Sequence, residues 1–319
     1  MNWSNRLAVV LLSAMLSAVG VFAEGKEHHF VPAENEENAY GELHRFVCDR
    51  IRLWPDLAPH ETGSDPGKFV YDQKGKAWRL RNVSSPSLVI LRPSSVKKRD
   101  TLVMVIPGGG YDNQHMGSVL RNTLPILESG RWAAILHYRL PRRKGRNIYD
   151  APREDMARAI RHLRAVSGRH GFSSEKIGAF GFSAGGHLAA IAAVSSKDRF
   201  YDPVDKLDDL PVHLNFAVPV YPAYVLSDGR DCVNVNCGDG ATVLPEFKFD
   251  DRTPPMFLIH GDQDYFSSMA SVLLYSELHR RKIPAQLFVY AKASHGLGNS
   301  VNVVGWQQRV FEWLDCMGY

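Results

Sequence analysis

Ser183 stands at the centre of Gly181-Phe182-Ser183-Ala184-Gly185, a run of the form G-x-S-x-G. An apolar run ends just before it at Phe180, and a small-residue run follows from His187 to Val194. A serine in that setting is a candidate nucleophile for acyl transfer, because a sharp strand-to-helix turn exposes its hydroxyl and flanking glycines leave room for the turn. The hydroxyl alone is a poor nucleophile at neutral pH, so an imidazole has to take its proton as it attacks a carbonyl. A carboxylate has to hold that imidazole in one tautomer and stabilise it once charged. His295, in Ala293-Ser294-His295-Gly296 after the apolar run 286–290, is the candidate base. Asp264 and Asp262 are the candidate acids, both following the apolar run 256–260. Residues two apart on an extended segment face the same way, so spacing leaves both open.

A second glycine cluster completes the set. The apolar run 101–106 leads into Pro107-Gly108-Gly109-Gly110-Tyr111, where consecutive glycines let backbone come close to a ligand. The loop resembles the HGGG type that supplies one N–H to an oxyanion hole, the residue after the nucleophile supplying another. Gly109, Gly110, Tyr111 and Ala184 are therefore the candidate backbone donors. Losing one such donor costs about 2.7–4 kcal/mol of transition-state stabilisation, so the loop matters to rate as much as the serine does. The run is neither G-x-G-x-x-G nor followed by G-K-[ST], which argues against a nucleotide site. Acyl transfer through serine requires no metal and no organic cofactor, and none is expected. The Asp- and Asn-rich stretch 228–239 does not match calcium-loop spacing.

These residues need a scaffold, and the chain spells one out. Runs 88–91, 101–106, 133–138, 177–180, 216–221, 256–260 and 286–290 read as strands. Between or after them, helices are predicted from Pro152 onward, over 183–195, over 267–282 and over 301–317. Met156, Ile160 and Leu163 share one face of the first at helical spacing. Regular alternation predicts an α/β fold, a mostly parallel central sheet with helices on both faces. Ligands bind such sheets at the carboxyl ends of the strands, and Gly109, Ser183, Asp264 and His295 all follow strands. Residues 24–86, polar and punctuated by Pro32, Pro55, Pro59 and Pro66, are expected to form a loosely packed N-terminal extension with one short helix near 40–49. Residues 87–319 are expected to form the catalytic domain. The connection 222–255 lacks a clear helix and is long enough to be a lid. His115, just past the glycines, reads either as a substrate contact or as a solvated loop residue.

Whole-chain properties narrow the setting. With 319 residues, 45% of them apolar and 23% charged, the composition is that of a soluble globular protein. Residues 1–23 carry Arg6 as their only charge, an apolar core over 7–18 and Val21-Phe22-Ala23 as a cleavage site, which predicts a signal peptide and a secreted or periplasmic protein. That apolar core is short for a membrane span, so no stable span is expected after cleavage. An exported chain meets an oxidising compartment. Cys232 could pair with Cys237, and Cys48 with Cys316, but four cysteines allow three connectivities. Residues 139–169 hold ten basic and three acidic side chains, either a surface for an anionic polysaccharide or a solvated helix face. Tyr149 alone is aromatic there, which is not the interleaving of a nucleic-acid surface, and no nucleic-acid partner is expected.

The order Ser183, Asp264, His295 is the Ser…acid…His order of α/β-hydrolases. Pro107-Gly108-Gly109-Gly110-Tyr111, Tyr138-Arg139-Leu140-Pro141, the run 181–189, Tyr221-Pro222, the H-G-x-x-D of 260–264 and Ser294-His295-Gly296 together resemble the bacterial acetylxylan-esterase-like group. That group also takes in carbohydrate acetyl/feruloyl esterases and is related to the catalytic domain of prolyl oligopeptidases. The resemblance covers about 87–317. It implies an exported serine esterase removing acyl groups, acetyl foremost, from polysaccharide such as xylan, with Ser183 as nucleophile, Asp264 rather than Asp262 as acid and His295 as base. Tyr265-Phe266-Ser267-Ser268 departs from the apolar pair and proline usual after H-G-x-x-D, and two aromatics there would narrow an acyl pocket or stack on sugar. A prolyl-oligopeptidase-type exopeptidase is the rival enzyme, lacking here the large N-terminal propeller those enzymes carry. A catalytically dead binding protein is the rival class, against which stands the presence of every catalytic part.

Overall fold

Ser183 owes its position to a sheet whose central strands bury every residue. The structure, a computed structural model, describes residues 30–227, 241–297 and 303–319; the predicted signal peptide, Cys232 and Cys237 lie outside the described residues. In chain order the elements are α1 (Glu36–Tyr40), β1 (Val47–Arg52), β2 (Lys68–Asp72), β3 (Ala77–Arg81), β4 (Ser87–Leu91), β5 (Leu102–Ile106), β6 (Gln114–His115), α2 (Met116–Glu128), β7 (Trp132–His137), α3 (Asp150–His170) and β8 (Ile177–Phe182). There follow α4 (Ala184–Val194), β9 (Phe216–Val220), β10 (Leu226–Ser227), β11 (Thr242–Val243), β12 (Met256–Gly261), α5 (Met269–Arg280), β13 (Ala285–Tyr290) and α6 (Trp306–Cys316).

Eight strands form the main sheet in the order β1-β4-β7-β5-β8-β9-β12-β13. Pairing is parallel from β7 through β13, and antiparallel for β4 against β7 and β1 against β4. The expected α/β architecture is thus what the chain forms. The unbroken apolar runs of β5, β8, β9 and β12 follow from it, since strands covered on both faces have no solvent side to make polar. Helix α4 is buried at every position, as a helix apolar all round must be. Helix α3 turns Met156, Ile160 and Leu163 inward at 0–1% exposure, the face its spacing predicts.

Two stretches differ from expectation. The segment 31–86 is not loosely packed. Strand β1 extends the main sheet, β2 and β3 pair with β6 in a small sheet, and Leu53, Trp54, Phe69 and Leu80 are buried in the common core. Its polar sequence misled because the segment is anchored by charge. Trp54 Nε1 donates to Asp155, Arg139 donates to Asp155, Glu154 and the Pro59 carbonyl, and Arg158 donates to the Leu53 carbonyl. Part of the basic stretch 139–169 is taken up by such contacts, while Arg142, Lys144 and Arg169 stay exposed. Arg139 and Arg158 are 1% exposed and Arg164 is buried against the carbonyls of Pro211 and His213, so these cations serve as internal struts rather than as a surface. Helix α2 is the other difference: Gly117, the buried polar Ser118, Asn122 and Thr123, and Pro125 near its end blur its apolar period. Cys48 and Cys316 are free, exposed thiols, so the pairing considered for them is absent.

Candidate active site

The strand-to-helix turn at Ser183 is a tight elbow. Ser183 has φ 56° and ψ −117°, a backbone conformation that side chains rarely adopt. Gly181 and Gly185 permit it: a Cβ on Gly181 would lie 2.0 Å from the Gly185 carbonyl oxygen, and one on Gly185 2.2 Å from that of Ile106. Neither position admits any larger residue without moving backbone, which is the physical content of G-x-S-x-G here. The elbow lifts the hydroxyl above the carboxyl end of β8 and opens α4 at Ala184.

Loops from three strand ends meet there. His295 follows β13, and its Nε2 lies 3.0 Å from Ser183 Oγ. Its other ring nitrogen, Nδ1, lies 2.9 and 2.8 Å from the two carboxylate oxygens of Asp264, which follows β12. Nδ1–H donating to Asp264 leaves the Nε2 lone pair for the serine hydroxyl, the tautomer an acceptor of that proton requires. The Asp264 side chain is wholly buried and also accepts from the Phe266 N–H at 2.8 Å. Asp262 is exposed and touches neither residue; its N–H instead closes the strand end on the Tyr290 carbonyl. The geometry therefore joins Asp264, and not Asp262, to His295.

Of the expected backbone donors, Ala184 is the first residue of α4, where an N–H has no intrahelical acceptor. Gly109 and Gly110, both at positive φ, line the cleft facing Ser183, and their N–H groups bond to no other described residue. Tyr111 does something else with its side chain. It is fully buried behind the loop, its hydroxyl 2.8 Å from the Ala184 carbonyl and 2.7 Å from His187 Nδ1. His187 is itself buried, and that burial, with Arg153 nearby, lowers its pKa to about 3. It is a neutral strut at physiological pH.

Sequence reasoning missed several participants. His260 lies beneath the acid: Nε2 donates to the Phe266 carbonyl at 3.0 Å and Nδ1 accepts from Ser271 at 2.9 Å. Burial lowers its pKa to about 4, against the pull of Asp264, so it braces the loop in neutral form. Rings crowd His295, with centroids at 4.5 Å for Tyr265, 4.9 Å for Tyr221 and 5.2 Å for Phe266. The cleft above Ser183 measures about 590 Å³ and is also lined by Arg79, His115 and Arg121. His115 is thus a cleft residue rather than a free loop side chain, with a pKa lowered chiefly by burial and then by Arg79. The aromatic pair was visible in the sequence; Arg79 and Arg121 carried no motif and were brought in by β3 and α2.

Comparison with known proteins agrees with the fold. The BD-FAE family model matches residues 88–228, and that of the prolyl oligopeptidase family matches residues 240–317. Endo-1,4-beta-xylanase B of Butyrivibrio fibrisolvens is 28% identical over 236 residues, 69% of this chain and 36% of that one. Acetylxylan esterase of Xylanibacter ruminicola is 24% identical over 217 residues, 61% of this chain and 41% of that one. The chain spans well under half the length of either relative. The solved acetyl ester-xyloside bifunctional hydrolase of Caldicellulosiruptor lactoaceticus superposes with a TM-score of 0.63 at 25% identity, covering 85% of this chain and 96% of that one. The fold is that of the α/β-hydrolases, and over most of its length the chain is similar to an acetylxylan esterase and to the solved acetyl ester-xyloside hydrolase.

Proposed function

We propose that this protein is an exported carbohydrate esterase that removes acyl groups, acetyl foremost, from a polysaccharide such as xylan. The observation carrying it is the continuous chain from Ser183 Oγ through His295 to the buried carboxylate of Asp264. In this reading Ser183 is the nucleophile. As Oγ attacks the ester carbonyl, its proton passes to His295 Nε2, and Asp264 stabilises the imidazolium. Negative charge gathering on the carbonyl oxygen is met by the N–H groups of Ala184 and of the Gly109–Gly110 loop. The sugar hydroxyl leaves with the proton from His295. Water, deprotonated by the same nitrogen, then releases the acid from Ser183.

The aromatic surroundings favour a sugar ester over a lipid. Tyr265 is 57% exposed at the rim, a flat face on which a sugar ring can stack, whereas Phe266 is 9% exposed and narrows the pocket behind it. The reading of residues 1–23 as a signal peptide supports a reaction outside the cytoplasm, where plant polysaccharide is met.

Hydrolysis of acetylated xylan, 4-nitrophenyl acetate, methyl ferulate and a dipeptidyl anilide by the mature protein tests the proposal, with Ser183→Ala as control. Turnover of the acetates, abolished in Ser183→Ala, is the expected result. Cleavage of the anilide with silent esters would move the chain to the peptidase branch, and full activity of Ser183→Ala would overturn the reading at its root.

A further inference from the structure

The charge lining the cleft has not been used by this chemistry. His115, the residue just before α2, and Ser118 and Arg121 in its first two turns follow one another at three-residue steps, and all three line the cleft. Arg121 is exposed, yet it makes no ion pair and no hydrogen bond with any described residue. Arg79, across from it on β3, is held in place by Asp72 at 2.8 Å and by Asn113 Oδ1 at 3.0 Å. No carboxylate lines the cleft among the described residues. One cation is therefore balanced by Asp72 and the other by nothing.

We propose that the cleft selects esters whose molecule also carries a carboxylate, with Arg121 as the specificity-determining residue and Arg79 beside it. The inference rests on the esterase reading above. A guanidinium fits a carboxylate with two parallel donors, and such charge-assisted pairs are short and directional. A cleft of one sign also concentrates ligands of the other. Burial above all, then the charge of Arg79 and, less, that of Arg121, disfavours the imidazolium of His115, so the positive charge of the cleft rests on the arginines. The carboxylate has two chemical sources. It is a uronic-acid side group on the acylated polysaccharide, or it ends the acyl group itself.

Two substrate pairs separate these sources. Acetylated xylo-oligosaccharide with and without a uronic-acid branch tests the sugar side; monomethyl adipate against methyl hexanoate tests the acyl side. The ratio of kcat/KM for the charged to the neutral member should exceed unity in one pair and fall about 10-fold in Arg121→Gln, mostly through KM. Arg121→Lys should keep part of the preference, and 0.5 M salt should erode it. An equal kcat/KM within both pairs, or a ratio unmoved by Arg121→Gln, overturns the proposal.

Binding to Ser183→Ala gives a readout independent of turnover. Calorimetry should show the uronic-acid-bearing oligosaccharide or adipate binding more tightly than its neutral partner, and equal binding within both pairs would sink the anion site. Anion preference without any ester turnover would instead defeat the esterase reading and leave the site standing.

Discussion

The hydroxyl of Tyr111 lies 2.8 Å from the carbonyl oxygen of Ala184, so the glycine loop is tied to the residue directly after the nucleophile. The bond spans the two sources of backbone donors proposed for the oxyanion. It fixes their separation from behind, where no substrate reaches. Tyr111→Phe keeps the ring packed and removes the tie, together with the hydroxyl's contact to the buried His187 Nδ1. A net hydrogen bond is worth about 1 kcal/mol, so kcat should fall about 3- to 10-fold. KM should hardly move, because the substrate does not touch this hydroxyl. Steady-state kinetics on 4-nitrophenyl acetate, beside a melting curve showing an intact fold, checks it. An unchanged kcat would mean the loop is held in place without Tyr111.

The two candidate acids differ in burial as well as in contact. Asp264 is enclosed and bonded to His295 and to the Phe266 N–H, while Asp262 is open to solvent. An amide at 264 cannot hold the imidazole in the tautomer that accepts the serine proton. Losing that function costs about 10⁴ in kcat in serine proteases built on the same array. Asp264→Asn should show a loss of that order and Asp262→Asn less than about twofold, the size of a surface change. Comparable losses in both variants would refute the assignment.

What the sequence revealed, and what it hid, follows from how far each signal travels along the chain. Ser183, His295 and the glycine loop were legible because local geometry demands particular residues beside them: Gly181 and Gly185 around the serine, the glycines after β5. The parallel strands were legible because burial on both faces leaves unbroken apolar runs. Spacing left Asp262 and Asp264 both open, and only the family resemblance favoured Asp264, because the fold decides which one meets a histidine 31 residues away. Strand β1 was invisible for a related reason. Its residues 47–52 include Asp49, Arg50 and Arg52, and it pairs at the sheet edge with β4, so neither alternation nor an apolar run marks it. The internal arginines were misjudged because charge predicts exposure until partners are known.

Buried histidines make stability depend on pH. Burial lowers the pKa of His137, His162 and His260 to about 4 and that of His187 to about 3, from 6.5 in the ordinary state. In the unfolded chain these rings bind protons below about pH 6.5, whereas the folded state refuses them until about pH 4. Across that window the unfolded state holds more protons, so stability rises with pH and is lost as pH falls. Melting temperature should therefore be flat from pH 8 to 7 and decline steeply from pH 6 to 4. His137, whose Nε2 meets the Tyr40 hydroxyl at 2.9 Å, offers the control. His137→Gln should lower stability at pH 7.5 but flatten its decline with acid, and an unaltered slope would show that the decline comes from elsewhere.

The strap holding the N-terminal segment rests on Arg139 and Asp155, both without exposed side chain. Asp155 accepts from the Arg139 backbone N–H at 2.8 Å, from Arg139 Nε at 2.9 Å and from Trp54 Nε1 at 2.9 Å. Arg139 in turn donates to Glu154, to the Ala151 carbonyl and to the Pro59 carbonyl. One ion pair therefore joins α3, the strand end after β7 and the chain at 54–59. Removing Asp155 leaves the buried Arg139 with Glu154 as its close counter-ion and takes the acceptor from its backbone N–H and from Trp54 Nε1, which costs about 3 kcal/mol. Asp155→Ala should lower the urea midpoint accordingly and speed proteolysis within 31–62, since those residues lose their anchor. Arg139→Met with Asp155→Leu should recover much of the midpoint, because the buried pair is replaced by apolar groups and Glu154 keeps Arg146 as its counter-ion. Proteolysis at 31–62 should stay fast in the double variant, whose Pro59 and Trp54 remain unbonded. A double variant as unstable as Asp155→Ala alone would show that the pair itself, and not the avoidance of a buried charge short of partners, is what stabilises this corner of the fold.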